Sequence, residues 1–213
     1  TMGGLTFYFG SLFGVVLGYT LLAVTMPELT EGLFSPQSVQ LIISVLTAYA
    51  FGVVGLADDY IKVVKKRNLG LEARYKIIGQ IFITAAFLVS MQINGTLTTI
   101  INLPVFGGVD FGLLYYPISF LLIIGMVNAV NLTDGIDGLA ASVTFVSMLG
   151  FMFIAGWLGN IQMALFAAAI TGGCAGFLCW NFYPAKCFMG DTGSMFLGGA
   201  VVAVAYGMGR PAL

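Results

Sequence analysis

The chain has 213 residues, 59% of them apolar, with eight basic and nine acidic side chains and a net charge of −1. Soluble domains carry about 25% charged residues; here the figure is 8% and the mean hydropathy is +1.01. This excludes an ordinary soluble domain, a disordered chain and a surface protein held by one amphipathic helix, and the lack of a basic field excludes nucleic acid as a partner.

Apolar runs cover 5–25, 39–57, 77–93, 112–130, 138–158, 161–180 and 194–208. Each approaches the roughly 20 residues that cross about 30 Å of hydrocarbon as a helix. The expectation is an all-α polytopic membrane protein with about seven transmembrane helices. Pro27, Glu28, Glu31 and Pro36 separate the first two runs, and the polar segment from Asp58 to Lys76 separates the second and third. From Asn94 to Asp110, Thr/Ile alternation, Pro104 and Gly107-Gly108 predict a short β-hairpin outside the membrane. A tight Gly159-Asn160 turn joins the fifth and sixth runs. Glycines within the runs (Gly10, Gly14, Gly18, Gly172, Gly173, Gly176, Gly198, Gly199) read as close helix packing. Cys174, Cys179 and Cys187 lie among small and apolar residues and make no disulfide framework, and histidine is absent.

Orientation follows from the cations. Lys62, Lys65, Lys66, Arg67, Arg74 and Lys76 share one loop, Lys186 lies four runs later on the same side, and only Arg210 falls opposite. The positive-inside rule makes the populated side cytoplasmic. Asp58, Asp59, Glu72, Asp134, Asp137 and Asp191 fall on that side as well, while Glu28, Glu31 and Asp110 lie outside. Carboxylates at the rim of the bilayer need water, a cation or a hydrogen-bond donor, so three loops bringing aspartates to one face point to a shared site. Thr1 and Pro211-Ala212-Leu213 read as cut ends. Residues 1–213 are therefore expected to be a single integral membrane domain truncated at both ends, with 58–76, 128–138 and 181–194 as its site segments.

The first cluster is Asp58-Asp59-Tyr60-Ile61-Lys62. Adjacent aspartates on a helix point about 100° apart, and Lys62 lies one turn on; taken alone, the pair reads equally as a solvated helix end. The second is Asn128-Ala-Val-Asn131-Leu-Thr-Asp134-Gly-Ile-Asp137-Gly138. Its polar residues recur every third position, and the Asp-Gly pairs are expected to break the helix at the membrane surface. Opened backbone beside carboxylates and amides suits a metal, a base edge or phosphates, whereas the competing reading is a capped helix end. In the third, Gly190-Asp191-Thr192-Gly193-Ser194 enters a helix and offers backbone N–H groups to an anion, with Asp191 a hard oxygen ligand for Mg²⁺. By itself that run also reads as a Gly-rich turn with an Asp cap.

These segments, with Gly70-Leu-Glu-Ala-Arg74-Tyr-Lys76 and Pro184-Ala-Lys-Cys-Phe188-Met-Gly-Asp191-Thr-Gly-Ser, resemble the motifs of the polyprenyl-phosphate N-acetylhexosamine-1-phosphate transferases along the whole chain. Lys62 and the opening Thr1-Met2-Gly3-Gly4 resemble the branch that moves a phospho-N-acetylmuramoyl-pentapeptide. The family has about ten spans and a histidine-rich cytoplasmic loop, so further spans and that loop are expected beyond Leu213. The resemblance implies transfer of the phospho-sugar from UDP-N-acetylmuramoyl-pentapeptide (UDP-MurNAc-pentapeptide) to undecaprenyl phosphate, giving lipid I and UMP at the cytoplasmic face of the bacterial inner membrane. It implies Mg²⁺ on Asp191, Asp58 as base with Asp59 in support, and Lys62 and Lys76 on phosphate charge. Asn128, Asn131, Asp134, Asp137, Asn181 and Phe188 would hold the nucleotide, Phe188 by stacking on uracil and Asp137 by accepting from its imide N–H. The lipid bilayer and a homodimer complete the implied partners. A sibling enzyme moving N-acetylglucosamine-1-phosphate is the nearer alternative. A transporter is the remote one; it calls for acids near span centres, which carry none.

Overall fold

The computed structural model describes residues 3–30, 32, 34–66, 70–103 and 107–209. Thr1, Met2, Glu31, Arg67, Pro104, Arg210 and Pro211-Ala212-Leu213, all used in the sequence reading, lie outside the described residues.

The chain folds as helices α1 (Gly4–Thr25), α2 (Pro36–Val63) and α3 (Ala73–Ile93), strands β1 (Ile100–Leu103) and β2 (Gly107–Asp110), and helices α4 (Tyr115–Thr133), α5 (Leu139–Trp157), α6 (Ile161–Asn181) and α7 (Gly190–Gly207). Local chemistry sets several starts. Ser35 caps α2 by accepting from the Ser38 N–H, with Pro36 at its first position, and Asn160 caps α6 by accepting from the Met163 N–H. Gly138, at φ 73°, supplies the left-handed residue from which α5 departs. The chain is an all-α polytopic membrane protein with a two-stranded antiparallel hairpin that pairs Ile100 with Asp110.

Six helices among the described residues are long and apolar enough to cross a membrane. The seventh expected span is present as α7 but falls short on composition, because it opens on Gly190-Asp191-Thr192-Gly193-Ser194. It is also the most enclosed helix: every residue from Thr192 to Gly207 is buried. α2 and α4 pack along it and α1 also touches it, so α7 meets protein where the others meet lipid. Phe9, Phe13, Phe82, Leu121 and Phe153 remain exposed on the outer helices, as expected where the solvent is hydrocarbon.

Small residues set the spacing around α7. A Cβ on Gly198 would stand 2.8 Å from the Val127 Cα, and one on Gly199 would stand 2.8 Å from the Phe51 ring and 3.1 Å from the Ala48 Cα. Gly14 approaches Ala169 and Gly18 approaches Leu165 in the same manner, whereas Gly10, Gly172 and Gly176 meet nothing among the described residues, so most but not all of the glycines within the runs serve close packing.

Two boundaries differ from the sequence reading in a way that matters for the site. α2 continues to Val63, carrying Asp58, Asp59 and Lys62 on helix, and α3 starts at Ala73, placing Lys76 on helix too. The apolar runs stop at residue 57 and resume at 77, with a polar segment between them from Asp58 to Lys76. The helices persist because the carboxylates find cations and N–H donors across the interface. These helix ends gather at one end of the bundle. At the other, the Asn94 amide donates to the Pro36 carbonyl at 2.9 Å beside the hairpin, and the Asn160 amide donates to the Gly207 carbonyl at 3.1 Å.

Candidate active site

The site begins where α2 and α7 touch. A Cβ on Gly55 would lie 2.1 Å from the Asp191 carbonyl oxygen, so the helices meet backbone to backbone. One turn further along α2, Asp58 (0% exposed) and Asp59 (5%) enter the interface. The first N–H groups of a helix lack intrahelical partners and carry partial positive charge. Asp59 satisfies those of α7, accepting from the Asp191 N–H at 3.1 Å, the Thr192 N–H at 2.8 Å and the Thr192 hydroxyl at 2.5 Å. The anion at this helix terminus is thus the chain's own carboxylate, supplied from α2. Asp59 acts here by holding Asp191 in place.

Asp58 and Asp191 share two ammonium groups. Lys62, one turn along α2, contacts Asp58 and lies 3.1 Å from Asp191 Oδ2. Lys76 Nζ reaches from α3 to Asp58 Oδ1 at 3.1 Å and Asp191 Oδ2 at 2.7 Å. Asn131 reaches from α4, donating to Asp191 Oδ1 at 3.1 Å and to the Ser194 hydroxyl at 2.8 Å. Gly70 and Leu71, ahead of α3, lie against this group, and the Leu71 N–H donates to Asp58 Oδ1 at 2.7 Å. Gly70 makes that approach possible: its φ is +60°, and a Cβ there would stand 2.6 Å from Asp58 Oδ1. Four helices therefore converge on Asp191.

The remaining expected residues form an outer tier. α4 ends at Thr133, so Asp134 is its C-cap residue and Asp137 lies in the loop to α5; the three-residue polar period does not continue as one helical flank. Asp137 accepts from the Ala185 N–H at 3.0 Å. Asn181 accepts from the Gly138 N–H at 3.0 Å and donates to the Cys187 carbonyl at 2.8 Å. Together they tie the α4–α5 loop to the α6–α7 loop. Phe188 is exposed in the latter. Asn128 stands apart, its amide taken up by Gln80 and the Ile124 carbonyl. Thr192 lies in the run expected to offer N–H groups to an anion, whereas nothing in the motifs pointed to Gln80, Gly55 or the Leu71 N–H. Gln80 alone left a signal there, an amide near the start of an apolar run and one turn after Lys76.

Asp58, Asp59 and Asp191 each offer an oxygen within 4.8 Å of the others, a set of hard donors suited to a small divalent cation. Three carboxylates face two ammonium groups, leaving one unit of negative charge in a largely buried cluster. Asp59 is saturated by α7 and Asp58 is fully enclosed, whereas Asp191 is only partly buried and, among the described residues, its Oδ1 accepts only from Asn131. The cluster fits a divalent cation, and Asp191 is the most accessible of its three carboxylates.

Burial pushes the Asp134 carboxyl up to about 7, and the negative charges of Asp191 and Asp59 add to the effect. The folded protein therefore retains a proton that the unfolded chain releases between its ordinary value near 4 and about 7. This group favours the fold at low pH and opposes it as pH rises through that window. In chelator-treated detergent solution, Asp134→Asn is expected to melt higher relative to wild type at pH 8 than at pH 5. An equal difference at both values would exclude a raised Asp134.

With the geometry in hand, similarity to known proteins is informative. The model of glycosyl transferase family 4 matches residues 41–209. The phospho-N-acetylmuramoyl-pentapeptide-transferase of Heliobacterium modesticaldum is 47% identical over 206 residues, 96% of this chain and 59% of that protein. Those of Desulforamulus reducens and Halalkalibacterium halodurans are 44% and 43% identical over 207 and 169 residues, covering 95% and 79% of this chain and 58% and 52% of theirs. The chain spans a little over half the length of these curated relatives. Carboxylates and lysines gathered at one end of a polytopic helical bundle, together with a family match covering most of the chain, lead to one assignment: the chain belongs to glycosyl transferase family 4.

Proposed function

We propose that this chain carries the active site of a phospho-N-acetylmuramoyl-pentapeptide transferase, which moves the phospho-sugar of UDP-MurNAc-pentapeptide onto undecaprenyl phosphate and forms lipid I and UMP for peptidoglycan synthesis. One observation carries the reading: Asp58 and Asp191 share Lys62 and Lys76 at the end of a membrane-spanning bundle. A soluble nucleotide-sugar and a lipid-borne phosphate can meet only at the membrane surface, and their charges repel unless cations and ammonium groups neutralise them. The basic loops support a cytoplasmic site, in the inner membrane of a bacterium.

Asp191, with Asp58 and Asp59 beside it, would hold Mg²⁺. When bound, the ion supplies charge neutralisation on the phosphates. Lys62 and Lys76, already placed between two carboxylates, exchange those partners for phosphate oxygens as the substrates enter. Asp58 takes the proton of the lipid phosphate, whose oxygen attacks the phosphorus bearing the sugar. The bond from that phosphorus to the bridging oxygen breaks, and UMP leaves with that oxygen. Asn131 and Asp134 lie on the nucleotide side, Asp137 and Asn181 shape the loop that presents Phe188 to the base, and Asn128 supports the α4 end from behind. A homodimer belongs to the same proposal.

The test uses purified full-length protein, undecaprenyl phosphate and Mg²⁺, with UDP-MurNAc-pentapeptide and UDP-N-acetylglucosamine in parallel reactions. UMP release with a lipid-linked product is expected from the first substrate only. Release from the second alone would overturn the assignment in favour of the sibling activity.

A further inference from the structure

Gln80 lies on α3 with no exposed surface, one turn from Lys76 and on the same face. Across the α3–α4 interface its amide meets that of Asn128 in both directions. Gln80 Nε2 donates to Asn128 Oδ1 at 3.2 Å, and Asn128 Nδ2 donates to Gln80 Oε1 at 2.8 Å. The second hydrogen of Asn128 Nδ2 goes to the Ile124 carbonyl at 2.8 Å. That backbone bond fixes which side of the Asn128 amide is nitrogen, so the pair has one register. Asn128 in turn lies three residues from Asn131, on the same side of α4.

We propose that Gln80, through this two-way amide pair with Asn128, is a positioning residue that sets Lys76 and Asn131 around Asp191. The proposal rests on the transferase reading above. Lys76 and Asn131 are the contributions of α3 and α4 to the carboxylate cluster, and the pair joins those two helices one turn behind both. α3 packs more extensively on α2 than on α4, and much of its surface faces lipid. Van der Waals packing sets how closely α3 approaches its neighbours, and a two-way hydrogen bond adds a directional constraint on its rotation and height along the bundle. An error of about 1 Å in a charged group near a reacting phosphate is enough to slow chemistry by roughly 10²-fold.

A pair that served only as glue would behave differently. Removing one partner leaves a buried amide unsatisfied, but replacing both with apolar groups of similar shape comes close to neutral for stability. Three variants of the full-length protein separate the two roles: Gln80→Leu, Gln80→Leu with Asn128→Leu, and the exchange Gln80→Asn with Asn128→Gln. The double-leucine protein is expected to melt near wild type. Its kcat for UMP release should fall about tenfold or more, with KM for UDP-MurNAc-pentapeptide within about twofold. The exchanged pair should recover most of the lost rate, because the amides can still meet. Wild-type kcat in the double-leucine protein would overturn the proposal.

A second measurement is independent of turnover. Spin labels at exposed Tyr75 and Leu132, in a cysteine-free background, report the α3–α4 distance by pulsed dipolar spectroscopy. The double-leucine variant should broaden or shift the distribution and the exchanged pair should restore it. An unchanged distribution overturns the proposal whichever substrate is turned over, while failure of the wild-type protein to release UMP overturns only the transferase reading.

Discussion

Asp191→Asn is expected to lower UMP release by about 10³-fold or more while the protein stays folded. Asparagine keeps the shape of the side chain and its place beside Asn131, so packing is preserved. What disappears is the charge that Lys62 and Lys76 share with Asp58 and the accessible oxygen for a divalent cation. A loss of 10³ corresponds to about 4 kcal/mol of transition-state stabilisation, the scale expected when a charge-neutralising centre is lost from phosphoryl transfer. Stability should change little, because removing one negative charge relieves the acidic excess of the cluster. Melting temperature, UMP release and Mn²⁺ binding followed by electron paramagnetic resonance test the three parts. If Asp191→Asn, and with it Asp58→Asn, retained activity within tenfold of wild type, the site would lie elsewhere.

Gly55→Ala is expected to destabilise the protein by about 3 kcal/mol, the upper end for overpacking, and to remove activity with stability. The new methyl would stand 2.1 Å from the Asp191 carbonyl oxygen, 2.4 Å from its carbon and 2.7 Å from the Thr192 nitrogen. All three are backbone atoms, which cannot rotate away as a side chain could. Relief requires α2 and α7 to separate, and Asp59 then loses the N–H groups that seat Asp191. Gly10→Ala is the matched control. It lies in a helix with nothing within 4 Å of the added methyl, and alanine favours helix over glycine by about 1 kcal/mol. Thermal unfolding in one detergent should separate the variants clearly; equal melting would refute the close α2–α7 contact.

The helices were legible because a span must be apolar over a length set by the bilayer, and that constraint acts residue by residue. The hairpin was legible from its turn residues for the same local reason. Helix ends were not. Asp58, Asp59 and Lys62 lie past the apolar run and read equally as the solvated end of a helix, yet α2 buries both aspartates and runs on through Val63. Whether a carboxylate can remain in a helix at that depth depends on partners from α3 and α7, more than ten residues away in the chain. α7 shows the converse: its composition falls short of a membrane span, but neighbouring helices surround it, so its polar first turn need not face lipid.

The aspartates, lysines and asparagines of the cluster could be picked out in the sequence because such groups are costly at a membrane rim without a partner. What the sequence left undivided was their roles. The two adjacent aspartates look alike in one dimension, but Asp59 is consumed in capping α7 while Asp58 shares its cations with Asp191. Asn128 and Asn131 look like one repeating motif, but one amide meets Gln80 and the other meets Asp191. Composition and periodicity therefore determined that this is a bundle in a membrane with its charge collected at one end. Only the tertiary structure decided which carboxylate caps α7 and which stays partly accessible, because hydrogen-bond donors are directional and the ones that matter arrive from other helices.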